Sequence, residues 1–179
     1  KIFPVVTAFA KSTGLPAYDP MTRKGFFRNL VLREDKSEGE IMAILVTRSG
    51  ANLDLGRLSQ ELKEKAPEVK SFWSVENDRI SDVVDFERKS HVSGGLFIQE
   101  TMGGLTFRIY PESFFQPNPR AAEVLYGRVV DEARRLGSRK ALGLYCGPGA
   151  IEIFLSWTVD EVIGIDSEAA NIRAAEATR

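Results

Sequence analysis

The stretch LYCGPGA, residues 144–150, sets two glycines, Gly147 and Gly149, between a strand-like apolar run and a helix-like one. Glycines at such a junction let the backbone approach a ligand closely, and a helix start offers free N–H groups to an anionic group. About 20 residues further on, the run VIGID closes a second strand-like segment on Asp166. A carboxylate at the tip of that neighbouring strand can accept hydrogen bonds from both hydroxyls of a ribose. Together the glycine bend and Asp166 predict an adenosine-bearing cofactor at the carboxyl edge of a parallel sheet.

The choice of cofactor turns on Glu152. A dinucleotide fingerprint asks for a third glycine where this chain has Glu152. A carboxylate there repels a pyrophosphate and removes the close helix–strand packing that the glycine allows. S-adenosylmethionine has no phosphate and needs only the first part of the loop, so it is favoured over NAD.

These residues need elements to hold them. Asn118 can cap a helix with Pro119 in its first position, and Ala122, Leu125, Val129, Ala133 and Leu136 follow at helical spacing to Gly137. A buried strand is expected over 141–145, a turn over 146–149, a helix over 150–157 and a strand over 161–165. Ser167 can cap a last helix over 168–178. This is a βαβ unit, whose crossover makes the strands parallel.

Upstream, Ile2, Val5, Val6 and Phe9 predict a helix over 1–13, with Pro4 in its first turn. Strands are expected over 26–33 and 40–47, joined as a hairpin. The unbroken apolar run 41–46 implies burial on both faces. Leu55, Leu58 and Leu62 mark a helix over 54–66. Further strands are expected over 69–76, 83–87, 95–101 and 105–109, the last two joined by the tight turn MGG. The fold class is therefore α/β overall. An α+β domain with a mostly antiparallel sheet, residues 1–112, precedes a βαβ domain over 113–179.

Composition narrows the function. The 179 residues are 43% hydrophobic, enough for a real core. Lys+Arg 24 against Asp+Glu 25 gives a net charge of -1, so any nucleic-acid surface is a local patch or lies elsewhere. Arg23, Lys24, Arg28 and Arg33 form such a cluster, read as a solvated strand face with an RNA-facing patch as the alternative. Arg134, Arg135, Arg139 and Lys140 sit at a helix end, where cations are favoured anyway. The lone cysteine, Cys146, excludes an internal disulfide and a multi-cysteine metal site within the chain, and the lone histidine, His91, is placed in a solvated loop. No run approaches the ~20 apolar residues of a membrane span. The start KIFPVVTAFA lacks an initiator Met and suits no signal peptide, so the chain is expected to be a piece of a longer cytoplasmic protein.

SFFQPNP, then LYCGPGA, then VIGID, in this order and spacing, resembles the RNA (uracil-5-)-methyltransferase family, which makes 5-methyluridine in ribosomal and transfer RNA. GFFRNLVLRE, GEIMAILVT and GLTFRIYPESFFQPN also look like its central domain, so the resemblance covers nearly the whole chain. It implies a central α+β domain followed by the first half of a Rossmann-like S-adenosylmethionine-dependent domain. It implies that Gln116 contacts S-adenosylmethionine, that Tyr145 lies against it, and that Asp166 takes the place of the ribose-binding acid, with Gly147 and Gly149 making room. RNA is the implied partner, large-subunit ribosomal RNA preferred to transfer RNA, with neither DNA nor a membrane.

Catalysis at carbon 5 of uracil needs a nucleophile at carbon 6 and a base for the carbon 5 proton. Cys146 sits in the cofactor loop, not in the family's nucleophile motif. The resemblance places the nucleophilic Cys and the base Glu beyond residue 179, so no catalytic residue is assigned here and the chain alone is expected to be inactive. Two departures stand out: Gly143 replaces an acid usual before LYCG, and Ala150 replaces an occasional Asn. They keep open an RNA-binding or assembly module that retains the fold without the chemistry. Phe114 and Phe115 are read as packing residues and Asn118 as a cap; the structural alternatives are a loop brace for Gln116, core for Tyr145 and a helix cap for Asp166.

Overall fold

The computed structural model describes every residue except 81–83, 85, 87 and 179. The chain divides into two compact units, Lys1–Asp35 with Gly39–Ile98, and Lys36–Glu38 with Gln99–Arg179.

The first unit opens with α1 (Ile2–Ser12), whose residues Ile2, Val5, Val6 and Phe9 are the buried stripe the spacing predicts. Next come β1 (Phe27–Glu34), β2 (Ile41–Thr47), α2 (Leu55–Lys65), β3 (Val69–Glu76) and β4 (Arg88–Gly94), which form one sheet in the order β1-β2-β3-β4. β1 runs antiparallel to β2, and β4 antiparallel to β3. β2 and β3 are parallel, because α2 carries the chain back across the sheet between them. Asp54 caps α2 by accepting from the Arg57 N–H at 3.0 Å. Leu58 and Leu62 of α2 meet the α1 stripe, Ala43, Leu45 and Phe72 in one cluster. On β2 the alternate residues Met42, Ile44 and Val46 are buried as well, as a continuous apolar run demands.

Two expectations change here. The strand expected over 83–87 falls largely outside the described residues. β4 was not foreseen, and it puts His91 on a strand instead of in a loop, with its ring edge-on to Trp73 at 5.0 Å. Arg28 is engaged rather than free: its guanidinium lies 4.6 Å from the Tyr18 ring and donates to the Asn77 carbonyl at 2.8 Å.

The second unit holds β5 from Gln99 onward (Ile98–Met102), β6 (Leu105–Ile109), α3 (Pro119–Arg135), β7 (Lys140–Leu144), α4 (Ala150–Leu155), β8 (Glu161–Ile165) and α5 (Ala169–Ala177). β5 and β6 are a separate two-stranded hairpin, not a continuation of the larger sheet. Grouped on sequence with the earlier layer, the hairpin instead buries Met102 and Phe107 among Ala122, Tyr126 and Val130 of α3 and Phe154 and Leu155 of α4. The buried carboxylate of Glu100 accepts from the Lys36 N–H and the Ser37 hydroxyl, each at 2.6 Å.

Asn118 caps α3 through the Ala121 N–H at 3.1 Å, and Gly137 follows its end as expected. Phe115 packs on Phe107 with ring centroids 5.6 Å apart, but Phe114 is exposed, so only one of the two aromatics is a packing residue. β7 and β8 are parallel, with Gly143 paired to Gly164. The last helix is capped by Glu168, which accepts from the Ala170 N–H; Ser167 is not the cap, because a turn closed by Asp166 on the Glu168 N–H shifts the helix start by one residue.

Candidate functional site at the ends of the parallel strands

The loop between β7 and α4 and the tip of β8 meet in one hydrogen bond. The Gly147 N–H donates to Asp166 Oδ2 at 2.8 Å. Asp166 Oδ1 accepts from the Glu168 N–H at 2.8 Å and the Asn171 side-chain amide at 3.2 Å. Among the described residues the partners of the carboxylate are dipoles, two backbone N–H groups and one side-chain amide. The Glu168 N–H above all, helped by the Gly147 N–H and the Asn171 amide, keeps the Asp166 carboxyl below its ordinary value, and it is ionised at neutral pH. Asp166 is not the cap of α5, a role that Glu168 takes; Asp166 orders the turn before that helix and turns a charged group toward the glycine bend.

The loop backbone explains its glycines. Gly149 has φ 73°, left-handed, and a Cβ there would meet the Cβ of Ala175 in α5 at 3.0 Å. A Cβ on Gly147 would meet nothing within 4 Å, so the space above it is open. Tyr145 precedes them in the left-handed region at φ 57°, a conformation that costs a bulky residue energy. The residue is 89% exposed, which rules out an ordinary core role. Gln116 is placed differently from these residues: it lies near the Tyr126 hydroxyl of α3, which burial pushes above its ordinary value and Gln116 draws back. Tyr126 in turn packs against Phe154 of α4 at 5.6 Å.

Cys146 lies in the bend with its sulphur 3.6 Å from the Gly147 carbonyl. Burial first, and then the Glu152 and Asp166 carboxylates, push its thiol above the ordinary value. A thiol kept protonated is a poor nucleophile, so Cys146 suits structure rather than covalent catalysis. Among the described residues no group of three or more His, Cys, Asp or Glu is placed to hold a metal ion. Among them, too, no helix is long and apolar enough to cross a membrane.

Two residues at this site had not been singled out for it. Asn171 orients Asp166, and the signal was only a polar residue one helical turn into a segment otherwise rich in alanine. Glu152 had been weighed only as an obstacle to phosphate. Its side chain lies along the paired glycines: a Cβ on Gly143 would stand 1.7 Å from Glu152 Oε1, and one on Gly164 would stand 3.3 Å from Glu152 Cγ. The place left open by Gly143 is thus filled from α4. Burial pushes the Glu152 carboxyl above its ordinary value.

Sequence comparison places this arrangement among known proteins. The chain is 34% identical over 177 residues to an uncharacterized RNA methyltransferase of Clostridium acetobutylicum, covering 98% of this chain and 39% of that protein. It is 37% identical over 155 residues to another from Clostridium tetani, covering 85% of this chain and 34% of the relative. The chain is similar to RNA methyltransferases along nearly its whole length. It spans about two-fifths of the length of the first of these relatives. Among solved structures it resembles the Pyrococcus abyssi tRNA (uracil-54, C5)-methyltransferase in complex with S-adenosyl-L-homocysteine. That likeness has a TM-score of 0.79 and 29% identity, over 97% of this chain and 41% of the other. No family model matches the chain.

Proposed function

We propose that this chain is the cofactor-binding portion of an S-adenosylmethionine-dependent RNA uracil-5-methyltransferase. The observation that carries the proposal is the ionised Asp166 carboxylate held 2.8 Å from the Gly147 N–H at the ends of two parallel strands. Asp166 takes the ribose hydroxyls with the lone pairs its present donors leave, Gly147 gives the open approach, Gly149 fixes the bend, and the Tyr145 ring lies against the ligand. Gln116 acts from the segment just before the Asn118 cap of α3. The residues fit this ligand: the loop offers free space above Gly147, and the acid at the strand tip carries its charge at neutral pH.

When bound, S-adenosylmethionine supplies the methyl group that replaces the proton on carbon 5 of uridine. The chain's own residues bind and orient; none of those described here is assigned to attack carbon 6, and the raised thiol of Cys146 does not supply that nucleophile. Methyl transfer by this chain alone is therefore expected to be absent. The substrate is RNA, and base-modifying chemistry of this kind draws the target base out of its stack. Large-subunit ribosomal RNA is preferred on the overall sequence resemblance, and the likeness to the Pyrococcus abyssi tRNA enzyme favours transfer RNA as the second substrate class. A cytoplasmic setting follows from these substrates. A binding module without catalysis is the second function, favoured by Gly143 and Ala150.

Calorimetry tests the proposal. Asp166→Ala should weaken S-adenosylmethionine binding by about 1–3 kcal/mol, the worth of a lost charged hydrogen-bonding group. Unchanged affinity would sink the ribose assignment. RNA binding with no cofactor binding would favour the second function.

A further inference from the structure

One oxygen of the Glu152 carboxyl, the buried Oε2, is an acceptor without a donor among the described residues. Leaving such an atom unpaired carries a real cost, so native structures rarely keep one without a reason. The surroundings show how it is accommodated. Gly143 of β7 and Gly164 of β8 are direct partners across the two strands. Neither has a side chain, and together they make a slot on the sheet into which α4 delivers the carboxyl. A single Cβ on Gly143 would collide with Glu152 Oε1. The glycine pair and the acid are therefore one device, set against the Cys146–Gly149 bend: a Cβ on Gly164 would stand 3.1 Å from Cys146 Sγ and 3.3 Å from Glu152 Cγ.

We propose that Glu152 is the carboxylate that receives the primary ammonium at the methionine end of the cofactor. This rests on the cofactor assignment made above. The ligand's chemistry leaves one suitable group. Its ribose is assigned to Asp166 at the tip of β8, and its adenine amine lies on the far side of the ribose from the methionine end. The sulfonium is cationic but has no N–H to donate. The α-ammonium has three N–H donors and a full charge, and a buried carboxylate oxygen with a vacant lone pair is its natural partner. Burial disfavours the charged form of Glu152 in the free protein, and an ammonium at 3 Å or so reverses that balance. The Glu152 carboxylate thus supplies discrimination between ligands that carry the amino-acid end and those that do not.

The experiment is a pair of calorimetric titrations on the 179-residue chain and its Glu152→Gln variant. The probes are S-adenosylhomocysteine, which keeps the ammonium, and 5′-deoxy-5′-methylthioadenosine, which keeps the adenosine and sulphur but lacks the amino-acid end. The variant is expected to lose about tenfold in affinity for S-adenosylhomocysteine, about 1.4 kcal/mol, and to hold methylthioadenosine within about twofold. Retained methylthioadenosine binding also shows that the variant is folded. Equal affinity of the two proteins for S-adenosylhomocysteine would overturn the role of Glu152 while leaving the cofactor site standing. Equal loss of both probes would mean that Glu152 only supports the fold, and would overturn the role too. Binding of neither probe by the unsubstituted chain would overturn the cofactor site itself, and this inference with it.

Discussion

Two strands of this protein carry almost the same kind of sequence and meet different fates. β2, IMAILVT, is buried along nearly its whole length, with Met42, Ile44 and Val46 at 0% exposure. β7, KALGL, with its partner β8, EVIGI, leaves Leu142, Leu144, Ile163 and Ile165 between 50% and 63% exposed. One sheet is four strands wide and the other is two. An apolar run shows that a strand could be buried on both faces, whereas the neighbouring elements decide whether it is. The charged groups differ in parallel. Asp78 in the first unit is clasped by Arg88 and by the Ser49 backbone and hydroxyl. Glu152 in the second holds a buried oxygen with no donor among the described residues. Among the described residues, the buried side-chain polar atoms without a partner, on Glu112, Glu152, Thr158 and Asn171, all fall in the second unit.

The largest expected effect tests the strands. Ile44→Ala should cost about 2–5 kcal/mol in a denaturant titration, the usual range for truncating a buried aliphatic. Leu144→Ala should change stability by only about 0.5 kcal/mol, as exposed positions do. Equal costs would erase the contrast between the two sheets.

A smaller effect tests the carboxyls, and the two should respond to pH with opposite sign. The folded value of Asp78 is lowered from 3.8, chiefly by the Arg88 hydrogen bond. Its contribution is complete above 3.8 and is lost as the pH falls toward the lowered value. The folded value of Glu152 is raised from 4.5 by burial. Its ionisation therefore costs nothing below 4.5 and weakens the fold as the pH rises through the raised value. Thermal melts of the free protein should show Asp78→Asn destabilising at neutral pH. Glu152→Gln should stabilise at neutral pH and lose that advantage below 4.5. Parallel pH responses of the two variants would refute the distinction.

The smallest effect tests the caps, where the units should agree. Asn118→Ala and Asp54→Ala should each cost about 1 kcal/mol by chemical denaturation, since each removes one acceptor from a helix start. A negligible cost for both would show that these helices are held by packing alone.

Much of this was legible because the residues concerned act locally. Asn118 followed by Pro119 announces a helix start wherever it stands, and the Ile2, Val5, Val6, Phe9 stripe needs only a periodicity to be seen. Asp166 was found because its distance from Gly147 along the chain encodes its place on the adjacent strand. β4 was missed because RKSHVSG offers little apolar pattern; its ladder with β3 gives its backbone groups partners that the side chains do not announce. Glu152 was missed for a different reason. On sequence it counts only against a pyrophosphate, and its burial depends on two glycines that become neighbours only when β7 and β8 pair. The wrong cap at Ser167 was a one-residue slip caused by Asp166 taking the Glu168 N–H.

The 3.0 Å gap between the Cβ of Ala175 and the place where Gly149 would carry one has a consequence for variation in this protein. Two of the smallest side chains act there as a feeler gauge between helix and bend. Thickening either blade, by Ala175→Val for instance, would pry the bend outward without removing any group that could touch a ligand. Tolerance at position 175 is thus tied to a residue 26 positions earlier, and the two are expected to drift through evolution only as a couple.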